Sequence, residues 1–164
     1  MRAKDVVKSV LVTTADTMKM FLGDLADADL TVRPVPSANH IAWQLAHLIT
    51  AEKFLLEGEL PGAVYPPLPP AIAELGNERT GKVDPAAGYL PKAQYLEWFD
   101  KQRAVTLAAV DKLSDSDLDA PTKGPMAKYA PKLGDLLILT ANHTLMHAGQ
   151  FTVVRRALGK PVVM

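Results

Sequence analysis

The chain has 164 residues, of which 48% are hydrophobic and 22% are charged, as expected for a folded protein that buries a full hydrophobic core. Its 18 basic and 18 acidic residues cancel to a formal net charge of zero, so no basic field favours a nucleic-acid partner. The absence of cysteine excludes disulfides, thiolate nucleophiles and cysteine-based zinc sites, and it is compatible with the cytoplasm.

The first predicted helix runs from Lys4 to about Leu25, because its apolar residues recur with helical spacing and its charged residues lie off that stripe. The same charges are not typical of a signal peptide. No run of apolar residues in the chain is long enough to predict a membrane span. We therefore expect a cytoplasmic protein that does not contact the membrane. A proline-containing loop over 27–38 is predicted to follow the first helix.

The second predicted helix begins after Asn39 or Ser37, which are equally good N-caps, and it ends near Glu57. It is apolar over more than half of its circumference, which is typical of a helix buried between several neighbours. His47 lies in its middle among apolar residues. His40 lies in its first turn, about 10.5 Å away along the axis, and we expect it near the surface and not at the same metal ion.

A long linker over 59–91 is rich in proline and glycine. A loop of this length inside a compact domain is usually functional or covers a site. The linker is therefore a candidate cover for the mouth of a site, although a tolerated surface crossover explains it equally well. A short turn of helix is expected within it at 71–75.

The third predicted helix runs from Lys92 to Leu113, and Arg103 interrupts its apolar face. Glu52 lies on the core face of the second helix. It is a candidate metal ligand or catalytic base, but we favour a buried pair with Arg103. A polar loop over 114–131 follows.

The fourth predicted helix runs from about Lys132 to Leu158 and stops at Gly159. Arg155 and Arg156 lie in its last turns, where positive charge is favourable beside the negative end of the helix dipole. We prefer this structural explanation to a role in substrate binding.

His143 and His147 lie four residues apart on the fourth helix, so both imidazoles share one face. That face is otherwise apolar apart from Thr140, with Gln150 beside it. Buried polar groups without partners cost about 1–3 kcal/mol each, so a hydrogen-bond network or a metal ion should satisfy these residues. Thr140 and Gln150 are candidates to orient the imidazoles.

Four long amphipathic helices predict an all-α protein, a four-helix bundle that forms a single domain over 1–164. The long linker lets the second and third helices lie either parallel or antiparallel. If the second and fourth helices pack together, His47, His143 and His147 converge. Three imidazoles with an open fourth position are the arrangement of catalytic zinc sites, and imidazole also suits nickel, iron and copper.

Two stretches, PSANHIAWQLAHLITAEKFLL and NHTLMHAGQFTVVRRALGKP, resemble the motifs of the DinB-like (DinB/YfiT) superfamily. The resemblance implies a four-helix bundle in an up-up-down-down arrangement, with a long crossover between helices 2 and 3. It also implies a divalent metal held by His47, His143 and His147, with zinc or nickel expected first and iron or manganese as alternatives. A homodimer is expected by the same resemblance, and His40 is not among the implied ligands.

Two functions are expected, of which the resemblance implies the first and the second is its alternative. The first is a metal-dependent thiol S-transferase of the bacillithiol, mycothiol or glutathione type, or a related hydrolase, that acts on a small electrophile. The second is a non-enzymatic bundle, stabilised by metal or metal-free, that acts through dimerisation or partner binding in stress response. An open coordination position favours the enzyme, whereas a closed shell of four ligands favours the structural protein.

Overall fold

The computed structural model describes residues 1–76 and 88–163. Within these residues the fold is all-helical, and β-pairing is confined to one isolated bridge between Pro121 and Lys132. None of the described helices is both long and apolar enough to cross a membrane. The helices are α1 (Ala3–Leu22), α2 (Ile41–Leu56), α3 (Pro70–Leu75), α4 (Lys92–Val110) and α5 (Leu133–Ala157).

The long helices α1, α2, α4 and α5 pack as a bundle, whereas the short α3 lies against α2. The predicted all-α four-helix bundle is therefore confirmed, and α3 is the helical turn expected in the linker. Short 3-10 turns follow α1 and α4 and precede α5. The core lies between the long helices, and α2 is buried on most of its surface, as its apolar sequence predicts.

Ion pairs along α1 show that it runs antiparallel to α4. Lys8, near the start of α1, pairs with Asp111 just after α4 (2.6 Å), whereas Lys19, near the end of α1, pairs with Asp100 in its first half (2.5 Å). At the far end, Nζ of Lys92 donates to the carbonyl oxygen at the end of α1 (3.0 Å). The start of α4 therefore lies at the end of α1.

Contacts of α2 fix the remaining directions. His40 contacts Tyr89 just before α4, and Glu52 contacts Thr106 near the end of α4, so α2 and α4 are parallel. Packing of α2 against α5 is antiparallel, because Gln44 meets His147, whereas His47, further along α2, meets His143, which comes earlier in α5. The resulting order along the chain is up-down-down-up.

This order corrects the predicted up-up-down-down arrangement. The connection between α1 and α2 turns back at one end of the bundle, and the linker after α2 then returns along that helix. Gly76, near the end of the described linker, already lies beside Ala46 in the first half of α2. The long crossover between the second and third long helices is thus confirmed, and it makes α2 and α4 parallel. Part of the predicted linker, residues 77–87, lies outside the described residues.

His40 is the N-cap of α2 and is fully buried. Its Nδ1 accepts a hydrogen bond from the backbone N–H of Trp43 (3.0 Å), and its Nε2 lies 2.8 Å from the hydroxyl of Tyr89. The expectations that Asn39 or Ser37 caps this helix and that His40 lies near the surface are wrong. The Tyr89 side chain meets the ring edge-on, and both ring nitrogens have partners.

A buried ion pair joins α2 to α4. Both carboxylate oxygens of Glu52 accept hydrogen bonds from the guanidinium of Arg103 (3.0–3.1 Å), and Thr106 donates to the same carboxylate (2.5 Å). Arg103 also donates to the carbonyl of Leu11 (2.5 Å) and to the hydroxyl of Thr144 (3.1 Å). The predicted pairing is confirmed, and this one pair contacts all four long helices.

Arg155 joins the ends of α1 and α5. Its side chain is 1% exposed, and it donates to the carbonyl oxygens of Phe21 (2.8 Å) and Pro161 (2.8 and 3.0 Å) and pairs with Asp24. Its role therefore goes beyond the favourable position at the end of a helix dipole. Arg156 is exposed, as expected for a residue that only complements the dipole.

Candidate metal centre

Three histidine side chains meet between α2 and α5. His47 comes from α2, and His143 and His147 come from successive turns of α5. One ligating nitrogen from each residue lies within 4.8 Å of the other two, and these residues form the one such group within 1–76 and 88–163. Their ring centroids are 4.8–5.3 Å apart. Antiparallel packing of α2 on α5 thus produces the convergence predicted from the sequence.

The distance between the histidines on α5 fits a shared ion. The Nε2 atoms of His143 and His147 are 3.1 Å apart. Two nitrogens bound to one tetrahedral zinc at 2.0–2.1 Å would be about 3.3 Å apart. The donor set is therefore compatible with a divalent metal, because small side-chain movements bring all three nitrogens to one ion.

His147 is oriented by Gln44, a side chain on the facing helix. Its Nδ1 lies 2.9 Å from Oε1 of Gln44, and the amide nitrogen of Gln44 donates to the carbonyl of Asn39 (2.9 Å). The second bond fixes which end of the amide faces the histidine. Because Oε1 can only accept, Nδ1 carries the hydrogen and Nε2 keeps its lone pair.

His47 is held in a similar way by the backbone of the linker. Its Nδ1 lies 3.2 Å from the carbonyl oxygen of Gly76, which leaves Nε2 as the free nitrogen. The imidazole also stacks on the ring of Trp43, with centroids 4.8 Å apart and planes 7° apart. A carbonyl partner and a flat aromatic neighbour together fix both the tautomer and the plane of this ring.

Gly76 can approach α2 so closely because it has no side chain. A Cβ atom at this position would lie 2.5 Å from the carbonyl oxygen of Ala46 and 2.7 Å from the hydroxyl of Thr50. That hydroxyl also lies 3.3 Å from the Gly76 carbonyl. The absence of a side chain is thus what allows this carbonyl to reach His47.

The groups that orient the imidazoles are thus Gln44 and Gly76, whereas the sequence pattern had predicted Thr140 and Gln150. The hydroxyl of Thr140 donates to the carbonyl of Leu136 (2.9 Å) within its own helix and not to an imidazole. Gln150 is exposed and acts on His147 only by opposing the fall in its pKa, while the two ring nitrogens of His147 contact Gln44 and His143. The signal for Gln44 was an amide among the apolar residues of the first turns of α2.

Burial keeps the histidines of α5 neutral. Loss of solvent, with a smaller repulsion from His47, lowers the pKa of His143 to about 4. Burial, followed by repulsion from the other two histidines, lowers the pKa of His147 to about 3, against the opposing hydrogen bond from Gln150. At neutral pH both rings therefore have lone pairs, and neither must lose a proton to bind a metal.

A cavity of about 880 Å³ opens beside the three histidines. His47 and His143 form part of its wall, whereas His147 lies deeper, with 5% of its surface exposed. A cavity of this volume is large enough for a small molecule. The other lining residues are Thr50, Ala51, Phe54, Leu55, Gly76, Met126, Leu139, Asn142 and Met146.

Neither of the remaining candidates joins the group. Glu52 has both carboxylate oxygens bound to Arg103, and His40 has both ring nitrogens bound elsewhere. Within the described residues the protein thus offers three nitrogen ligands, two of which face the cavity. This arrangement leaves room for an exogenous ligand on the cavity side.

The fold is shared with solved bacterial structures at low sequence identity. A conserved protein from Enterococcus faecalis superposes with a TM-score of 0.69 and 16% identity, over 98% of this chain and 99% of that one. YfiT from Bacillus subtilis superposes with a TM-score of 0.68 and 17% identity, over 96% of this chain and 89% of that one. YfiT is described as "a probable metal-dependent hydrolase with an unusual four-helix bundle topology".

No curated protein matches the sequence. The family comparison, in contrast, covers most of the chain. The model of the DinB superfamily matches residues 11–151, from the first half of α1 to the last turns of α5, and so includes all three histidines. The chain belongs to the DinB superfamily.

Proposed function

We propose that this protein is a metal-dependent enzyme that binds a divalent ion through His47, His143 and His147 and directs a small nucleophile at an electrophilic substrate. The observation that carries the proposal is the set of three convergent histidine nitrogens beside an open cavity. Such a set resembles catalytic sites, which keep one coordination position free, more than structural sites, which close it. Zinc or nickel is the expected ion, with iron or manganese as alternatives.

The role of each residue follows from its contacts. His47 and His143 present nitrogens at the cavity wall, and the buried His147 supplies the third nitrogen from the protein interior. Gln44 and the Gly76 carbonyl hold two of the rings in the tautomer that leaves Nε2 free. When bound, a divalent ion lowers the pKa of a coordinated thiol or water and so supplies a nucleophile at neutral pH.

Two nucleophiles are candidates. A low-molecular-weight thiol of the bacillithiol, mycothiol or glutathione type makes the protein an S-transferase, the activity that the sequence resemblance implies. Water makes it a hydrolase, and the description of the structurally similar YfiT supports this second candidate. A metal–imidazole site suits both nucleophiles.

A non-enzymatic bundle is the competing proposal. One observation favours it: the imidazoles also bond to each other, to Gln44 and to Gly76, with 3.1 Å between Nε2 of His143 and of His147. Such a network can satisfy buried histidines without an ion. The homodimer and the cytoplasmic location remain predictions under either proposal.

The deciding experiment loads metal-free protein with zinc or nickel and assays it in two ways. Thiol transfer is followed with a panel of small thiols and 1-chloro-2,4-dinitrobenzene, and hydrolysis with 4-nitrophenyl acetate. We expect one activity to appear on loading, to disappear with a chelator, and to be absent from His47→Ala. If the protein binds metal with three histidines but shows neither activity, the non-enzymatic proposal is favoured.

A further inference from the structure

The wall of the cavity beside the histidines is mainly apolar and exposed to solvent. Several of its walls are large apolar side chains that solvent reaches: Phe54 is 68% exposed and Met146 is 53% exposed. Met126, Leu139 and Leu55 extend the same surface. Clustered exposed apolar side chains are uncommon on soluble proteins and usually mark a binding surface. Methionine in particular adapts its shape to different apolar ligands.

The described lining residues include no lysine, arginine, aspartate or glutamate. Two carboxylates on the neighbouring segments are engaged elsewhere. The carboxylate of Glu52 is bound to Arg103, and that of Glu59 accepts the backbone N–H of Lys123 (3.0 Å) and of Gly124. A charged ligand group placed against these walls would lose water without gaining a counter-ion.

Polar contacts in the cavity are confined to a few positions. Asn142 offers an exposed amide, whereas the Thr50 hydroxyl is already bonded to the carbonyls of Ala46 (3.1 Å) and His47 (3.0 Å). The strongest polar feature is therefore the histidine cluster at one side. A cavity of this kind orients a ligand by one polar end and binds the remainder by apolar contact.

We infer that the cavity takes an uncharged, mainly apolar small molecule, which places one donor or electrophilic atom at the histidines and its hydrocarbon body against Phe54 and Met146. This inference rests on the proposed function for the polar end of the ligand. The claim that the rest of the ligand is apolar depends only on the side chains of the cavity wall. The inference assigns the electrophile to the class of neutral aromatic or aliphatic compounds and not to anionic metabolites.

The first arm of the test uses metal-free protein and two fluorescent probes that differ in charge. N-phenyl-1-naphthylamine is neutral, and 8-anilinonaphthalene-1-sulfonate is the same ring system with a sulfonate. We expect the neutral probe to bind at one site per chain and at least tenfold more tightly than the anionic one. Equal or tighter binding of the sulfonate overturns the inference.

Two alanine variants locate the binding. Phe54→Ala should weaken binding of the neutral probe by about tenfold, because burial of one large apolar side chain accounts for at least that factor. Tyr129→Ala is the matched control, since Tyr129 is 69% exposed and lies outside the cavity wall. An equal effect of the two substitutions overturns the inference, because the probe would then bind nonspecifically.

The second arm tests the polar end separately. Phenylmethanethiol should displace the neutral probe from zinc-loaded wild type at lower concentration than from the His143→Ala/His147→Ala variant treated with the same zinc. It should also displace the probe from zinc-loaded wild type at lower concentration than 4-(mercaptomethyl)benzoate does. Absence of zinc binding contradicts the proposed function and leaves the first arm to decide the ligand class. Tighter binding of the benzoate to zinc-loaded protein overturns the ligand class and leaves the proposed function standing.

Discussion

The Nδ1 atom of His147 lies 2.9 Å from Oε1 of Gln44, so a side chain of α2 sets the tautomer of a histidine on α5. The same helix carries His47, whose Nδ1 is held by the Gly76 carbonyl. Ligand-holding bonds of this kind are usually as important to a metal site as the ligands, because they decide which nitrogen is free.

Replacing Gln44 with alanine should lower metal affinity without removing a ligand. We expect a loss of about 10–100-fold, the usual effect of removing a group that orients a ligating histidine. Gln44→Glu keeps an acceptor oxygen and should retain more of the affinity. Competition with a chromophoric chelator measures both. Gln94→Ala, at an exposed glutamine of α4, is the control, and an equal loss in that variant would contradict the assigned role.

Gly76→Ala should weaken both the metal site and the fold. A Cβ atom would lie 2.5 Å from the Ala46 carbonyl oxygen, so the linker must move away from α2 and its bond to His47 lengthens. We expect a loss of about 1–3 kcal/mol of stability in urea unfolding and a fall of about tenfold in metal affinity.

Gly149→Ala is the matched control for that substitution. A Cβ atom at Gly149 has no neighbour within 4 Å, and this residue lies inside α5. Alanine there should stabilise the helix by up to about 1 kcal/mol and leave metal affinity unchanged. If Gly76→Ala behaves as Gly149→Ala does, close packing of the linker is not what holds His47.

The Glu52–Arg103 pair should prove structural. Glu52→Leu alone leaves a buried guanidinium without its carboxylate and should cost about 3–5 kcal/mol, whereas Glu52→Leu with Arg103→Met should recover much of that loss. Urea unfolding of the four members of this double-mutant cycle measures the coupling. Zinc affinity of the folded double variant should match the wild type, and its loss would indicate that Glu52 takes part in the site.

Metal-free protein should lose stability as the pH is lowered from about 6.5 towards 4. His143 has a pKa of about 4 and His147 of about 3 in the folded state, whereas unfolded histidine titrates near 6.5. Between these values the unfolded chain binds more protons, so unfolding becomes more favourable by at most about 1.4 kcal/mol per pH unit for each ring.

The His143→Gln/His147→Gln variant isolates this effect in chemical unfolding at a series of pH values. Its stability should depend less on pH than that of the wild type between pH 6.5 and 4.5. Carboxylates such as Asp24, whose pKa is lowered by its hydrogen bond to Arg155, lose their contribution only below their ordinary pKa of 3.8. Equal slopes in the two proteins would show that these rings do not titrate in this window.

Helical periodicity was sufficient to locate the long helices and to place His143 and His147 on one face of α5. The crossover and the set of three histidines were implied by the resemblance to the DinB-like superfamily, because periodicity alone predicted their convergence only if α2 packs on α5. The pairing of Glu52 with Arg103 was predictable too, because an isolated charge on a core face needs a partner.

The relative directions of the helices and the fine positioning of the site required tertiary contacts. The connections between the long helices permit either direction of the next helix, so apolar spacing did not distinguish up-down-down-up from up-up-down-down. His40 was misjudged because its cover, Tyr89, comes from a distant part of the chain. The contact of the Gly76 carbonyl with His47 was also not predictable, because every residue has a backbone carbonyl and no sequence pattern marks the one that accepts.

Elemental analysis of purified, tag-free protein tests the central claim most directly. The wild type should contain close to one divalent ion per chain after zinc or nickel is supplied at neutral pH, whereas the His143→Ala/His147→Ala variant, shown to be folded by circular dichroism, should contain none. A wild type that binds no metal under these conditions, or a double variant that binds as much as the wild type, would contradict the three-histidine site.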